Sequence, residues 1–222
     1  YDRQQLEKIT IEQPESIEIS LLIDTSGSMD DPSKLRAAKE ATTLLMLSVK
    51  DFNTYLDQTR RETNSRLRAN TQVITYSDDF KEVKPFEKKS SYLDNEANII
   101  KTVSKIIPNG STNDTAALSF VAQGLSSEQL LKIKQQKLKK IIFVITDGVS
   151  NNPDDTAKVI SNLISEDVLT FGFQIGDVDD FEEEIFNSIW NKQQHTPSGI
   201  IIGNDLQQLP KRLTNTLANT LK

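Results

Sequence analysis

Three short stretches of the chain concentrate oxygen-bearing side chains. They are Asp24, Ser26 and Ser28 around Gly27; Ser111, Thr112 and Asp114 after Gly110; and Asp147, with Ser150, Asn151 and Asn152 just beyond it. Carboxylates, hydroxyls and waters are hard ligands, matched to Mg2+ or Mn2+ rather than to thiophilic metals. Magnesium takes octahedral oxygens at about 2.1 Å and keeps some of its waters. Two serines two residues apart reach one ion only if the backbone turns sharply between them, and Gly27 is expected to permit that turn. Two aspartates with hydroxyls completing the shell would leave such an ion ready for one more anionic ligand.

Other chemistries lack their residues. There is no cysteine, which removes disulfides, thiolate metal sites and cysteine nucleophiles. The single histidine, His195, sits in a polar stretch (QQHTPSG) and would have to build any triad or zinc site alone. A phosphotransferase of haloacid-dehalogenase type needs a second aspartate two residues after Asp24, where Ser26 stands. No P-loop occurs, and DTSGSM is not the GxGxxG turn of a nicotinamide-binding domain. A net charge of −6 disfavours a general binder of nucleic-acid backbone and suits cations or basic partners. No apolar run approaches the roughly 20 residues that cross a bilayer. The chain begins at Tyr1 rather than Met, so it reads as a fragment or a processed product.

The elements that must position these clusters follow from periodicity. Residues 1–15 are unpatterned and read as an N-terminal arm or linker, with one domain over 16–222. Ile17–Ile23 is a strand buried on both faces and runs straight into Asp24. Pro32 opens a helix whose stripe is Leu35, Ala38, Ala41, Leu45, Val49, Phe52 and Leu56. Arg60, Arg61, Arg66 and Arg68 belong to its solvated continuation and a loop. Thr71–Ser77 is a second strand and Phe80–Phe86 a short edge strand. Leu93, Ala97, Ile100, Val103 and Ile107 mark a second helix, and Leu118, Val121, Ala122 and Leu125 a third, which the Lys-rich segment Ser126–Lys140 continues. Ile141–Thr146, the most apolar run, is the central strand. Helices at Asp154–Glu166, Phe181–Trp190 and Asp205–Lys222 alternate with strands at Val168–Ile175 and Ile200–Ile202. This order predicts a doubly wound α/β domain: a mostly parallel six-stranded sheet, one short antiparallel edge strand, and helices on both faces. Ligands of such sheets sit beyond the carboxyl ends of the strands, where all three clusters fall.

DTSGS at 24–28 resembles the DxSxS motif of von Willebrand factor A and integrin inserted domains. GSTND at 110–114 is similar to that family's threonine loop, and ITDG at 145–148 to its aspartate loop. The resemblance implies a metal-ion-dependent adhesion site, with Ser26, Ser28 and Thr112 as direct or near-direct ligands of Mg2+ and Asp24 and Asp147 acting largely through water. Mn2+ and Ca2+ are the alternative ions. It further implies a non-enzymatic protein-interaction module whose partner presents a Glu or Asp to the metal, and a last helix that shifts on binding. Bacterial relatives that work beside AAA+ ATPases, as in chelatase and MoxR-type systems, make such an ATPase the specific partner expected. A surface adhesin is the rival reading, then a Mg2+-dependent phosphoryl-transfer enzyme, then the same fold without metal.

Plainer roles stand beside these. Asp24 and Ser26 could cap a helix, Thr112 could close a turn, and Asp147 could end a strand. Asp30, Asp31 and Asp114 read as solvated or supporting residues, Ser150–Asn152 as loop chemistry, and Trp190 as core. The sequons at Asn109 and Asn113 would put a glycan on the proposed metal loop, which favours a cytoplasmic over a eukaryotic secretory setting. Cell-surface exposure stays open if a targeting segment precedes Tyr1.

Overall fold

Along β1 (Ser16–Asp24), Ile17, Ile19, Leu21 and Ile23 are buried on one side of the sheet and Leu22 on the other. A strand that is apolar on both sides requires a layer on each, and both are present. The computed structural model describes residues 14–63, 67–86, 95–192 and 197–221. Its other strands are β2 (Arg68–Tyr76), β3 (Phe80–Lys84), β4 (Leu138–Thr146), β5 (Leu169–Ile175) and β6 (Gly199–Gly203). The sheet has six strands in the order β3-β2-β1-β4-β5-β6. All neighbours run parallel except β2 and β3, as expected for a doubly wound sheet with one antiparallel edge. The order of connection reverses between β1 and β4, which splays apart the segments leaving their carboxyl ends.

One face carries α1 (Pro32–Thr63), α2 (Glu96–Val103) and α7 (Gln208–Thr220), where Ala38, Ala41, Leu45, Leu209 and Leu213 meet β1 and β4. The other carries α3 (Asp114–Gln123), α4 (Ser127–Lys134), α5 (Pro153–Ser165) and α6 (Asp180–Asn187), where Leu118, Ile160 and Leu163 pack on Leu22, Ile142 and Val144. Each such aliphatic side chain, fully buried, contributes about 1.5–3 kcal/mol. A π-helical turn at Ser188–Lys192 follows α6 and buries Trp190, the only tryptophan, over Gly172 of β5. Among the described residues no helix is long and apolar enough to cross a membrane.

The α1 stripe lies as its spacing predicts, but three boundaries differ from expectation. Helix α2 ends at Val103; its inward residues are Ile99, Thr102 and Val103, and Ile106 is buried just beyond it, while Ile100 and Ile107 are 69% and 64% exposed. Of the stripe read from the sequence, Val103 packs on the core while Ala97, Ile100 and Ile107 face out, and Leu93 lies outside the described residues. The Lys-rich segment does not prolong α3. A capping box at Ser126 and Gln129 starts α4, and the chain is already in β4 at Leu138, because alternate residues there pair with β1. Strand β2 likewise begins at Arg68 rather than Thr71, extended by its pairing with Ser16–Glu18.

Beyond the reach of β3, side chains complete the outer rim of β2. The Asn53 amide donates to the Ala69 carbonyl at 2.8 Å and accepts the Ala69 N–H at 3.0 Å. The Lys84 ammonium donates to the Thr71 carbonyl at 2.6 Å.

Candidate functional site

Asp24 ends β1 with no exposed surface. Its Oδ1 accepts the Ser26 N–H at 2.7 Å, and its Oδ2 accepts the hydroxyl of Thr146, the last residue of β4, at 3.0 Å. Burial raises its carboxyl to about 6 against the lowering effect of the Ser26 N–H, and the neighbouring Asp147 adds to the rise.

After Asp24 the chain makes a single 3-10 turn at Gly27–Asp30, closed by the Met29 N–H on the Ser26 carbonyl at 3.0 Å. This turn brings the Ser26 and Ser28 hydroxyl oxygens to 3.0 Å. Gly27 is not what permits it: its backbone is not left-handed, and a Cβ there would stand 3.5 Å from the Gly110 carbonyl, an ordinary contact. Its role is to donate its N–H to that carbonyl at 2.8 Å. The Ser28 hydroxyl donates to Asp147 Oδ1 at 2.8 Å, so an unbroken hydrogen-bonded line runs from Asp24 through both serines to Asp147.

The loop carrying Thr112 is fastened to this turn by backbone. Asn109 N–H donates to the Thr25 carbonyl at 2.6 Å, and Gly110 accepts from Gly27. Gly110 has φ +76°, and Asp78 fills the space where its side chain would be, accepting the Ser111 N–H at 2.9 Å. Thr112 is half-buried and its carbonyl accepts from the Asn151 amide, which ties the threonine loop to the segment after Asp147. Among the described residues the Thr112 hydroxyl makes no hydrogen bond to Asp24, Ser26, Ser28 or Asp147, so it adjoins that group without joining its line.

Several residues that matter to this geometry were not singled out by sequence reasoning, or were given lesser roles. Asp114 is buried, and its Oδ1 accepts from Ser150 at 2.8 Å, Thr156 at 3.2 Å and the Thr115 N–H at 2.9 Å. Burial pushes its carboxyl up. This cluster links the threonine loop, the segment after Asp147 and α5. Lys34 lies 2.7 Å from Asp147 Oδ2. Asp31, by contrast, is exposed and accepts the Ser33 N–H at the start of α1. His195 lies outside the described residues.

Two oxygens in neighbouring positions of an octahedron with a radius of about 2.1 Å lie roughly 3.0 Å apart. The Ser26–Ser28 and Ser28–Asp147 oxygen separations, 3.0 and 2.8 Å, match that spacing, and all of these oxygens are hard donors. Among the described residues no three His, Cys, Asp or Glu side chains gather as a metal cluster, so any ion here would rest on hydroxyls as much as on carboxylates.

This sheet order, with hydroxyl and carboxylate side chains gathered at its switch point, defines a class of α/β binding domains. A family model for the von Willebrand factor type A domain matches residues 18–209, and the chain belongs to that family, one of protein-interaction and adhesion modules. An uncharacterized protein of Treponema pallidum (strain Nichols) is 32% identical over 218 residues, which is 98% of this chain and 36% of the relative. The chain thus spans about a third of the length of the curated relative it matches. Among solved structures it is similar to the pilus adhesin SpaC of Lactobacillus rhamnosus GG, with a TM-score of 0.68, 14% identity, and coverage of 95% of this chain and 30% of that one. Proximal thread matrix protein 1 of the mussel byssus, with a zinc-occupied MIDAS motif, gives a TM-score of 0.63 at 15% identity over 93% of this chain and 46% of that one. A von Willebrand factor type A protein of Catenulispora acidiphila gives 0.60 at 20% identity, over 94% and 43%.

Proposed function

We propose that the chain is a cation-dependent protein-interaction module that binds without turning over a substrate. Asp24, Ser26, Ser28, Thr112 and Asp147 would hold a Mg2+ ion. When bound, the ion would supply an electrophilic position for an Asp or Glu of a partner protein. The observation that carries this reading is the run of Ser26, Ser28 and Asp147 oxygens, 3.0 and 2.8 Å apart as octahedral neighbours are, with Asp24 tied to its head through the Ser26 N–H. The zinc-occupied motif of the mussel protein supports it by analogy of fold. An AAA+ ATPase is the partner class proposed, to be sought by pull-down with and without cation.

The test is a thermal melt in EDTA, Mg2+, Mn2+, Ca2+ and Zn2+ on wild type, Asp24→Asn and Ser28→Ala. A ligand specific to the folded state adds about 2.7 kcal/mol at a hundredfold excess over its Kd. The expected outcome is a Mg2+-dependent rise that both variants lose. A flat response with all proteins folded, confirmed by calorimetric titration, removes the reading.

A further inference from the structure

Lys34 occupies the first turn of α1, where unpaired N–H groups and the helix dipole create positive potential. Asp31, exposed just ahead of that turn, is taken up by the Ser33 N–H and hydroxyl, and the ammonium of Lys34 has a closer partner elsewhere. Its partner is the site. Lys34 Nζ lies 2.7 Å from Asp147 Oδ2 and 3.5 Å from the Ser28 carbonyl. The Asp147 side chain has no exposed surface, and that of Lys34 is 19% exposed. The lysine stem crosses over Gly176 at the end of β5, where a Cβ would stand 2.7 Å from Cε and 3.2 Å from Nζ. Gly176, at φ +94°, therefore keeps open the path along which the ammonium reaches the carboxylate.

Asp147 is thus divided: one oxygen takes the Ser28 hydroxyl, the other the Lys34 ammonium. We propose that Lys34 is a resident counter-cation, which neutralises Asp147 in the cation-free protein and lowers the affinity of the site for a dication. The inference rests on the cation-binding reading above. An ion held beside Ser28 and Asp147 would meet the positive charge of Lys34 in a poorly screened setting, and either the ammonium withdraws or the two repel. An acidic side chain from a partner offsets that surplus, so cation and partner bind cooperatively. Without either, Lys34 holds the site assembled.

Lys34→Met keeps an apolar stem over Gly176 and removes the charge. Mg2+ and Mn2+ are titrated calorimetrically into wild type, K34M, and K34M combined with D24N, alongside melts in EDTA. K34M is expected to bind roughly tenfold tighter or more, to melt lower than wild type in EDTA, and to lose binding when D24N is added. Binding by K34M where wild type shows none supports the proposal equally. A purely structural lysine gives the opposite sign, because a loosened site binds ions less well. Equal or weaker binding by folded K34M overturns the proposal and leaves the cation site standing. Binding retained with D24N puts the ion elsewhere and also overturns it. Silence from every protein removes the cation reading and this proposal together. Lys34→Gln carries the same comparison if K34M does not fold.

Discussion

Gly110 and Asp78 fit together as a backbone and its filler: a Cβ on Gly110 would stand 2.3 Å from Asp78 Oδ2. The same Asp78 accepts the Ser111 N–H and, through its carbonyl, the Asn113 amide at 3.3 Å. The threonine loop is therefore shaped by a residue of the β2–β3 turn, more than thirty positions earlier in the chain.

Gly110→Ala meets both obstacles, a left-handed backbone and the Asp78 carboxylate. Strain of this kind costs about 1–3 kcal/mol, and each kcal/mol lowers the midpoint of a domain this size by roughly 2–4 °C. Calorimetry on G110A, D78A and the double variant separates the contributions. The double variant is expected to lose less than the sum of the singles. Strict additivity would show that Asp78 does not sense the added carbon.

Asp24 imposes a pH dependence on the cation-free protein. Its carboxyl, at about 6 in the fold against an ordinary 3.8, binds a proton more tightly folded than unfolded. Below the lower value both states are protonated and nothing is lost. Between the two, the unfolded chain ionises first, so stability falls as pH rises and levels off above the higher value. Asp114, raised chiefly by burial, acts in the same direction. Asp24→Asn removes the larger part: in EDTA it should exceed wild type by on the order of 2–3 kcal/mol near neutrality, with the gap closing near pH 4. Urea melts across that range check it, and a gap that widens toward acid would contradict the burial argument.

Asp114→Ala leaves the Ser150 and Thr156 hydroxyls and the Thr115 N–H without their common acceptor. The expected loss is about 2–3 kcal/mol, against a small one for Asp114→Asn, which keeps an acceptor oxygen. Chemical denaturation of the pair decides this. Equal losses would mean that the cluster responds to charge rather than to hydrogen bonding.

Gly172→Ala would drive a carbon to 2.4 Å from the Trp190 ring. Overpacking of this kind costs about 1–3 kcal/mol. Trp190 is the only tryptophan and is 2% exposed, so its emission is a direct reporter. The variant should shift that emission to the red before the midpoint is reached. An unchanged spectrum would place the adjustment in β5 instead.

The sequence makes most of the scaffold legible because the strongest periodic signals belong to elements that the core decides. Leu35 through Phe52 can face only one way, and Ile17–Ile23 and Ile141–Thr146 read as buried on both faces. The α2 register is ambiguous because Ile99, Ile100, Ile106 and Ile107 offer two adjacent stripes, and only packing against α1 selects one. Asp24, Ser26, Ser28 and Asp147 are found from motif spacing, and the fold brings them within one hydrogen-bonded line. Lys34 escapes motif reading because its partner lies 113 residues away. Its one local sign, a positive charge in a helix's first turn, is masked by Asp30 and Asp31 just before it. Gly27 misleads in the other direction, since a glycine between two serines suggests a strained turn where ordinary 3-10 geometry suffices.

The side chains along the rim of β2 determine how that stretch of the sheet edge can meet another chain. Because β3 pairs with β2 only from Val73 onward, the first half of β2 would otherwise present open peptide groups to any extended segment. Asn53 occupies both groups of Ala69 and Lys84 occupies the Thr71 carbonyl, so that stretch is already answered from within the chain. Strand addition and edge-to-edge self-association are disfavoured along that stretch of β2.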